Sequence, residues 1–398
     1  MQDQQRGRSS LKVCVAISSG ANQTYVELGG ILHDALSHAG FRSALVRDGD
    51  RAALAADVLL LLGEGSFFPD YTNLLKRKPA PRPTTALWLF EALPPPTLNE
   101  RAEHKGSGVA KFISRELTSG RLLRLTWSAV PRPVRTRVRE AILRLLFSNF
   151  KRAMDKDPQS LFTPDVNLCS LMMSRHVWFG QHFSAGWLDF VFTTTVSQQQ
   201  SLTRMGIPAR FAPLGYHPGM GINLSGERDI DVLFVGNVWG SGRRCEILSA
   251  VRQDLTLKGV EVIVQHGSYG EQRTALLNRA RVSLNVAHYP WDLPSQRFLM
   301  SMACGALVIS EPLDDPTPYR PGKHFVQADI ADLSETICYY LEHEREREAI
   351  TRTAYDFLTQ ELTLRNALSR IMGTCNEVGT LPAAEGRAPG VPFRDKPL

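Results

Sequence analysis

Apolar residues along the chain alternate between short unbroken runs and longer stretches with helical spacing. The first run covers residues 12–17 and is rich in β-branched side chains. After a polar turn, apolar residues recur with helical spacing until Gly40, at Tyr25, Leu28, Leu32, Leu36 and Ala39. The start of the chain is therefore predicted to form a strand, a loop and a helix.

The same rhythm predicts further strands in the first half, at residues 43–46, 57–62, 84–90, 189–195 and 210–212. Two of them, 57–62 and 84–90, are almost wholly apolar, as in parallel strands covered on both faces. The pattern weakens between about 94 and 183, and positive charge concentrates at 105–156. We expect an α/β domain over residues 10–213, with this basic segment as a helical elaboration inside it.

A stretch rich in Gly and Pro, residues 214–228, is expected to link this domain to a second one. Beyond it, strands at 231–235, 260–264, 282–286 and 306–310 alternate with helices from residue 243, at 271–280 and at 295–303. Repeated strand-helix units of this length predict a doubly wound parallel sheet. With closing helices at 331–343, 344–360 and 363–372, the second domain is predicted to span 229–375, before an irregular tail over 376–398.

Composition supports two ordinary cores and narrows the class of protein. The 398 residues are 43% hydrophobic, and the longest apolar runs are far too short to cross a bilayer. The polar start lacks the apolar segment of a secretory signal, so a cytoplasmic protein is expected. The six cysteines are scattered without metal-ligand spacing and are read as reduced thiols. A net charge of +6 suits an anionic partner: nucleotide, phospholipid or nucleic acid.

Ligands of open α/β sheets bind beyond the carboxyl ends of the strands, so the loops after the strands are the places to look for chemistry. The most informative loop covers residues 236–244, where Gly236 and Asn237 follow a strand and Arg243 lies at the start of a helix. Glycines, helix-start amides and arginine together suit a diphosphate. The alternative is a turn with two solvated arginines. Arg297, taken alone, is better explained as a surface residue.

The order of several short motifs gives a more specific indication. Over residues 231–360 the chain resembles the carboxy-terminal domain of bacterial family 1 glycosyltransferases, in particular the branch related to the spore maturation protein CgeB. The resemblance rests on Asp-Val-Leu-Phe-Val-Gly-Asn at 231–237, Arg243, Ser-Leu-Asn at 283–285, Ser295 with Arg297, Ala-Cys-Gly-Ala at 303–306 and Tyr-Tyr-Leu at 339–341. Residues 192–197, Gly206 and Pro-Leu-Gly-Tyr at 213–216 continue it upstream.

This resemblance implies a GT-B fold, in which two Rossmann-like doubly wound domains face a central cleft. It implies that the carboxy-terminal domain binds a nucleoside diphosphate sugar, with Arg243 on the diphosphate, Arg297 supporting the phosphates or the sugar, and the Gly236-Asn237 turn against the donor. No metal and no cofactor besides the donor are implied, and the resemblance favours retention of configuration. Where relatives carry a glutamate for the ribose, this sequence has Met300. His266 is a further candidate on the donor side.

The first domain is expected to bind the acceptor: a glycan, a lipid-linked sugar or a small molecule. Glu91 follows a strand and is a candidate for a base or an acceptor contact, and His182 is a second catalytic candidate. Glu27, Gly29 and Gly30 follow the first strand and are candidates for the acceptor side. Each candidate has an alternative role: Glu91 could cap a turn, and His182 could be a structural histidine. Glu27, Gly29 and Gly30 could belong to a solvated helix start.

The interpretation is thus a glycosyltransferase, with two rivals. A non-catalytic relative could use the cleft to recognise a glycan or nucleotide, which Met300 motivates. The basic segment 134–154 has an apolar helical face. Such a face packs on its own domain, or it rests peripherally on the anionic inner face of a membrane. A nucleic-acid-binding or nucleic-acid-modifying protein is the second rival, which this sequence disfavours.

Overall fold

The computed structural model describes residues 11–77, 81–93, 179, 183, 185–238, 242–294 and 296–379. The predicted basic elaboration, the amphipathic stretch at 134–154 and most of the tail lie outside these residues. The candidate His182 and the motif residue Ser295 also lie outside them.

The first domain is built on a six-stranded parallel sheet, and each strand follows a run predicted from the sequence. Its strands are β1 (Lys12–Ile17), β2 (Arg42–Arg47), β3 (Val58–Leu62), β4 (Thr84–Leu89), β5 (Phe190–Thr193) and β6 (Ala209–Phe211), in the order β2-β1-β3-β4-β5-β6. In β3, Leu60 and Leu62 enter one hydrophobic core and Leu59 and Leu61 the other. This alternation explains why the run is apolar at every position, because both faces of the sheet are covered.

Three helices of this domain are described: α1 (Gln23–His38), α2 (Pro69–Arg77) and α3 (Val196–Arg204). Helix α1 begins at an asparagine cap, since the Asn22 side chain accepts a hydrogen bond from the Tyr25 amide at 3.2 Å. The sequence did not predict α2, whose nine residues carry few apolar positions and begin with proline. Its amino terminus is held instead by Asp48, which accepts hydrogen bonds from the amides of Asp70 and Tyr71.

The second domain contains a parallel sheet, as predicted, but with five strands, because the two-residue strand at Val326–Gln327 was not predicted. Its strands are β7 (Ile230–Val235), β8 (Val262–Gln265), β9 (Ala280–Asn285), β10 (Leu307–Ser310) and the short β11 (Val326–Gln327), in the order β11-β10-β9-β7-β8. From β7 the chain moves outward to β8 and then returns to the other side of β7. The strand order therefore reverses between β7 and β9, which is where open α/β sheets form a ligand crevice.

Helices α4 (Gly242–Leu257), α5 (Gly270–Arg279) and α6 (Gln296–Ala303) connect these strands, and α7 (Leu333–Glu342), α8 (Glu344–Asp356) and α9 (Leu364–Gly379) end the described chain. Helix α9 contacts α1 and β4 of the first domain, and Arg210 Nη1 donates to Thr374 Oγ1 at 2.9 Å. The sequence placed this helix wholly in the second domain and began an irregular tail at residue 376. The structure instead keeps α9 helical to Gly379 and packs it across both domains. Among the described helices, none is long and apolar enough to cross a membrane.

Candidate active site

A cleft of about 640 Å³ lies between the two domains, at the carboxyl ends of both sheets. Its size is within the range of small-molecule sites. The second domain contributes loops that follow β7, β8 and β9, together with helix α6. The first domain contributes the start of α1 and the segments that follow β4 and β5. The cleft thus joins the reversal point of the second sheet to the first domain.

Arg297 joins the two strands at the reversal point. Its Nε donates to the carbonyl of Val235, at the end of β7, at 2.7 Å, and its Nη1 donates to Asn285 Oδ1, at the end of β9, at 2.5 Å. The guanidinium also lies 4.5 Å from the centre of the Phe234 ring. Desolvation, followed by the nearby Arg244, lowers the pKa of Arg297 to about 9, which leaves it charged at neutral pH. The residue is half-buried and lines the cleft.

Gly236 is required for this arrangement. A Cβ atom added there would lie 2.5 Å from Arg297 Nη2 and 3.3 Å from the Phe234 ring. Because hydrogen bonds on β7 and β9 fix the guanidinium, it cannot move aside without losing them. The next residue, Asn237, is exposed at the cleft and its carbonyl accepts from Arg244 Nη1 at 2.7 Å. Both predicted turn residues therefore lie at the cleft.

Arg244 is the second guanidinium of the cleft, and the sequence did not select it. It donates to His288 Nε2 at 2.7 Å and lies 3.8 Å from Asp292 Oδ2. His288 also lines the cleft, and desolvation together with Arg244 and Arg297 lowers its pKa to about 3. The imidazole is therefore neutral at neutral pH, with Nε2 as the acceptor. Two cations and a neutral histidine thus border the reversal point.

The structure places Arg243 elsewhere. Its guanidinium forms a buried ion pair with Glu311, with the two side chains 4% and 2% exposed, and also donates to the Ala287 carbonyl at 3.1 Å. The cleft is lined by Arg244 and not by Arg243. The sequence assigned the diphosphate to Arg243, but its guanidinium joins α4 to the residues that follow β9 and β10 and does not line the cleft.

Two other donor-side predictions fall at the cleft. His266 donates from Nδ1 to the Gly236 carbonyl at 2.8 Å and lines the cleft. Met300 also lines it, although it is only 7% exposed and belongs to the hydrophobic core. Its thioether thus lies at the boundary between the core and the ligand space.

The first-domain wall centres on Glu91, which lines the cleft as predicted. Tyr25, a residue that the sequence analysis did not select, donates from its hydroxyl to Glu91 Oε1 at 2.7 Å. Gln198 Nε2 donates to the Glu91 carbonyl at 2.7 Å and so fixes the backbone. Asn22, Thr24, Phe90 and Thr194 complete this wall.

The candidates Glu27, Gly29 and Gly30 do not line the cleft. Gly29 and Gly30 lie inside helix α1, where a Cβ on Gly29 would be 2.8 Å from Leu45 Cδ1. Gly29 therefore serves close packing of α1 on β2 rather than ligand binding. Glu27 accepts from Arg273 of the second domain, with both guanidinium nitrogens at 2.7 Å. The Glu27 carboxylate therefore pairs with a side chain of the second domain and not with a ligand.

Residues 225–373 match the model of a protein family described as glycosyl transferase-like. No curated protein sequence matches the chain. The fold is similar to that of Anabaena HepE in complex with UDP and glucose, with 10% identity, a TM-score of 0.50, and coverage of 92% of this chain and 100% of that one. The sucrose-phosphate synthase of Thermosynechococcus elongatus has 11% identity, a TM-score of 0.53 and coverage of 93% and 99%.

A glycosyltransferase from Rickettsia africae is also similar, with 8% identity, a TM-score of 0.55, and coverage of 93% of this chain and 99% of that one. These similarities confirm the predicted GT-B fold of two Rossmann-like domains. The match of residues 225–373 to a glycosyl transferase-like family bears out the predicted enzyme class. The finer assignment to the CgeB branch stays a prediction.

Proposed function

We propose that this protein transfers a sugar from a nucleoside diphosphate sugar to an acceptor hydroxyl, and that Arg244 and Arg297 bind the diphosphate. The observation that carries the proposal is the pair of guanidinium groups at the reversal point of the second sheet, opposite Glu91 on the first domain. Arginine pairs bidentately with phosphate oxygens, and a fixed arginine stabilises charge that develops on a leaving group.

In this reaction the bond between the anomeric carbon and the diphosphate oxygen breaks, and a bond to the acceptor oxygen forms. Negative charge grows on the diphosphate, where the two arginines stabilise it. Glu91, oriented by Tyr25, is placed to bind the acceptor hydroxyl or to take its proton. His266, Gly236, Asn237 and Met300 remain proposed donor contacts. Retention of configuration and a cytoplasmic location remain predictions.

A thermal-shift screen with UDP, GDP, dTDP and CDP tests the proposal. The HepE structure contains UDP, so UDP is the first nucleotide to try. A ligand at a hundred times its dissociation constant stabilises the folded state by about 2.7 kcal/mol. One nucleoside diphosphate is expected to raise the melting temperature more than its nucleoside does. Stabilisation by a sugar without any nucleotide would favour the non-catalytic glycan-binding alternative.

Replacing Gly236 with alanine is expected to weaken nucleoside diphosphate binding about two- to tenfold. The added Cβ would displace the Arg297 guanidinium and cost it about one hydrogen bond, roughly 0.5–1.5 kcal/mol. Calorimetric titration measures the effect. Gly242→Ala is the matched control, because no atom lies within 4 Å of its added Cβ. Equal affinity for the two variants would mean that the position of Arg297 does not matter for binding.

Sugar transfer is expected to persist in EDTA, because the two arginines can neutralise the diphosphate that a metal neutralises in other enzymes. Turnover is measured before and after chelation, and again after magnesium or manganese is added. Loss of turnover in EDTA, restored by either ion, would contradict the metal-independent mechanism.

A further inference from the structure

Helix α5 of the second domain begins without a side-chain cap of its own. Its first amide, Gly270 N, donates to Glu27 Oε1 at 3.3 Å. In the next turn, Arg273 Nη1 and Nη2 donate to the two oxygens of the same carboxylate, each at 2.7 Å. A helix amino terminus and a bidentate arginine form an anion site. Here the anion is Glu27, which helix α1 of the first domain supplies.

A second contact runs in the opposite direction. Helix α3 of the first domain begins with a capping box, in which Thr195 and Gln198 satisfy each other's amides. The two amides between them are bonded by the second domain: Val196 N donates to Thr317 Oγ1 at 3.4 Å and Ser197 N to Asp315 Oδ2 at 2.6 Å. The other oxygen of Asp315 accepts from the amide and the hydroxyl of Thr317, which fixes the carboxylate.

These two contacts flank the cleft. Helix α5 follows β8, at one edge of the second sheet, and Asp315 follows β10, on the other side of the reversal point between β7 and β9. In the first sheet, α1 follows β1 near one edge and α3 follows β5 near the other. Each domain therefore lends a carboxylate to a helix amino terminus of the other domain, once on each side of the ligand space.

We infer that these two contacts, Glu27 on α5 and Asp315 on α3, form a carboxylate clasp that sets the relative position of the two cleft walls. Glu27 and Asp315 are positioning residues, which bring the Glu91 wall to the distance from Arg244 and Arg297 that transfer requires. The consequence for transfer rests on the proposed function, whereas the consequence for domain geometry does not.

Because the clasp lies between the two domains, its loss is expected to change the distance between them. The side chains of Glu27 and Arg273 are 14% and 6% exposed, so an arginine without its partner would be poorly solvated. Inside one domain, such a loss is relieved only by unfolding. Between two domains it is relieved when the domains separate and water reaches Arg273. The variant is therefore expected to open rather than to unfold.

The test is the double variant Glu27→Gln with Asp315→Asn, measured by small-angle X-ray scattering of the full chain without ligand. A larger radius of gyration is expected, with a far-ultraviolet circular dichroism spectrum equal to that of the wild type. The matched control is Glu335→Gln, which removes an exposed ion pair with Lys258 inside the second domain. A radius equal to those of the wild type and the control would overturn the clasp, and so would loss of helical signal.

A second readout separates positioning from a merely structural role. The double variant is expected to keep its dissociation constant for UDP within about threefold, because the donor groups lie on the second domain, while kcat/KM for transfer falls about tenfold or more. If affinity for UDP and kcat/KM fell by the same factor, Glu27 and Asp315 would be assigned to donor binding instead. If the wild type binds no nucleotide, the proposed function fails, while the scattering result still decides the clasp.

Discussion

Replacing Arg243 with methionine is expected to lower the free energy of unfolding by about 3–5 kcal/mol, the cost of leaving one member of a buried ion pair without its partner. The side chain of Glu311 is 2% exposed. It would keep the hydrogen bond that it accepts from the Ala287 amide, but it would lose its contacts with the guanidinium. Urea unfolding followed by circular dichroism measures the loss. At low temperature, where the variant stays folded, its dissociation constant for the nucleotide should stay close to that of the wild type, because Arg243 does not line the cleft.

The double variant Arg243→Met with Glu311→Leu is the control for this effect. It removes both charges, so most of the lost stability should return. Stability that stays unchanged in the single variant, together with lost diphosphate binding, would return Arg243 to the phosphate site and contradict its structural role.

Replacing Arg297 with methionine is expected to weaken nucleoside diphosphate binding about tenfold to a hundredfold, and to leave binding of the bare nucleoside nearly unchanged. The lost interaction is a charge-assisted hydrogen bond to phosphate, worth about 1.5–3 kcal/mol, and about 1.4 kcal/mol corresponds to a factor of ten. Calorimetric titration of UDP and uridine gives the two affinities. Arg244→Met should behave in the same way.

Arg281→Met is the matched control for these variants. Arg281 belongs to the same domain and pairs with Asp231, but it lies at the start of β9, the end of the sheet opposite the cleft. It should leave UDP binding unchanged. An equal loss for UDP and uridine in the Arg297 variant would place that guanidinium outside the phosphate site.

The sequence predicted the strands well because each buried strand is an apolar run bounded by polar turns. The run that became β1 was predicted with both of its ends correct, and the run for β3 was one residue too long. Helix α2 was missed because what fixes its start is a distant carboxylate, Asp48, and not a local pattern.

The sequence selected a loop that does line the cleft, but of two adjacent arginines it selected Arg243, which does not line it. Neighbouring residues on a helix point about 100° apart, and the direction of the cleft depends on partners far along the chain. Arg243 is drawn inward by Glu311, and Arg244 faces the cleft beside His288. No local signal near residues 243 and 244 distinguishes the two.

The Gly29-Gly30 pair illustrates a second limit. A glycine pair after a strand suits a ligand loop, but it equally suits a helix that packs closely on its sheet, and here the contact with Leu45 decides. Glu27 was selected as a cleft residue on the same grounds. It turned out to bind a helix of the other domain, a contact between residues 246 positions apart that spacing cannot reveal.

The most direct test of the central claim is a turnover assay with UDP-, GDP-, dTDP- and CDP-linked sugars, in which release of the nucleoside diphosphate is followed for the wild type and for Arg297→Met. We expect the wild type to release the diphosphate from at least one donor, and the variant to lose most of this activity while it stays folded. A folded wild type that neither binds nor turns over any of these nucleotide sugars, or an Arg297→Met variant with undiminished turnover, would contradict the account.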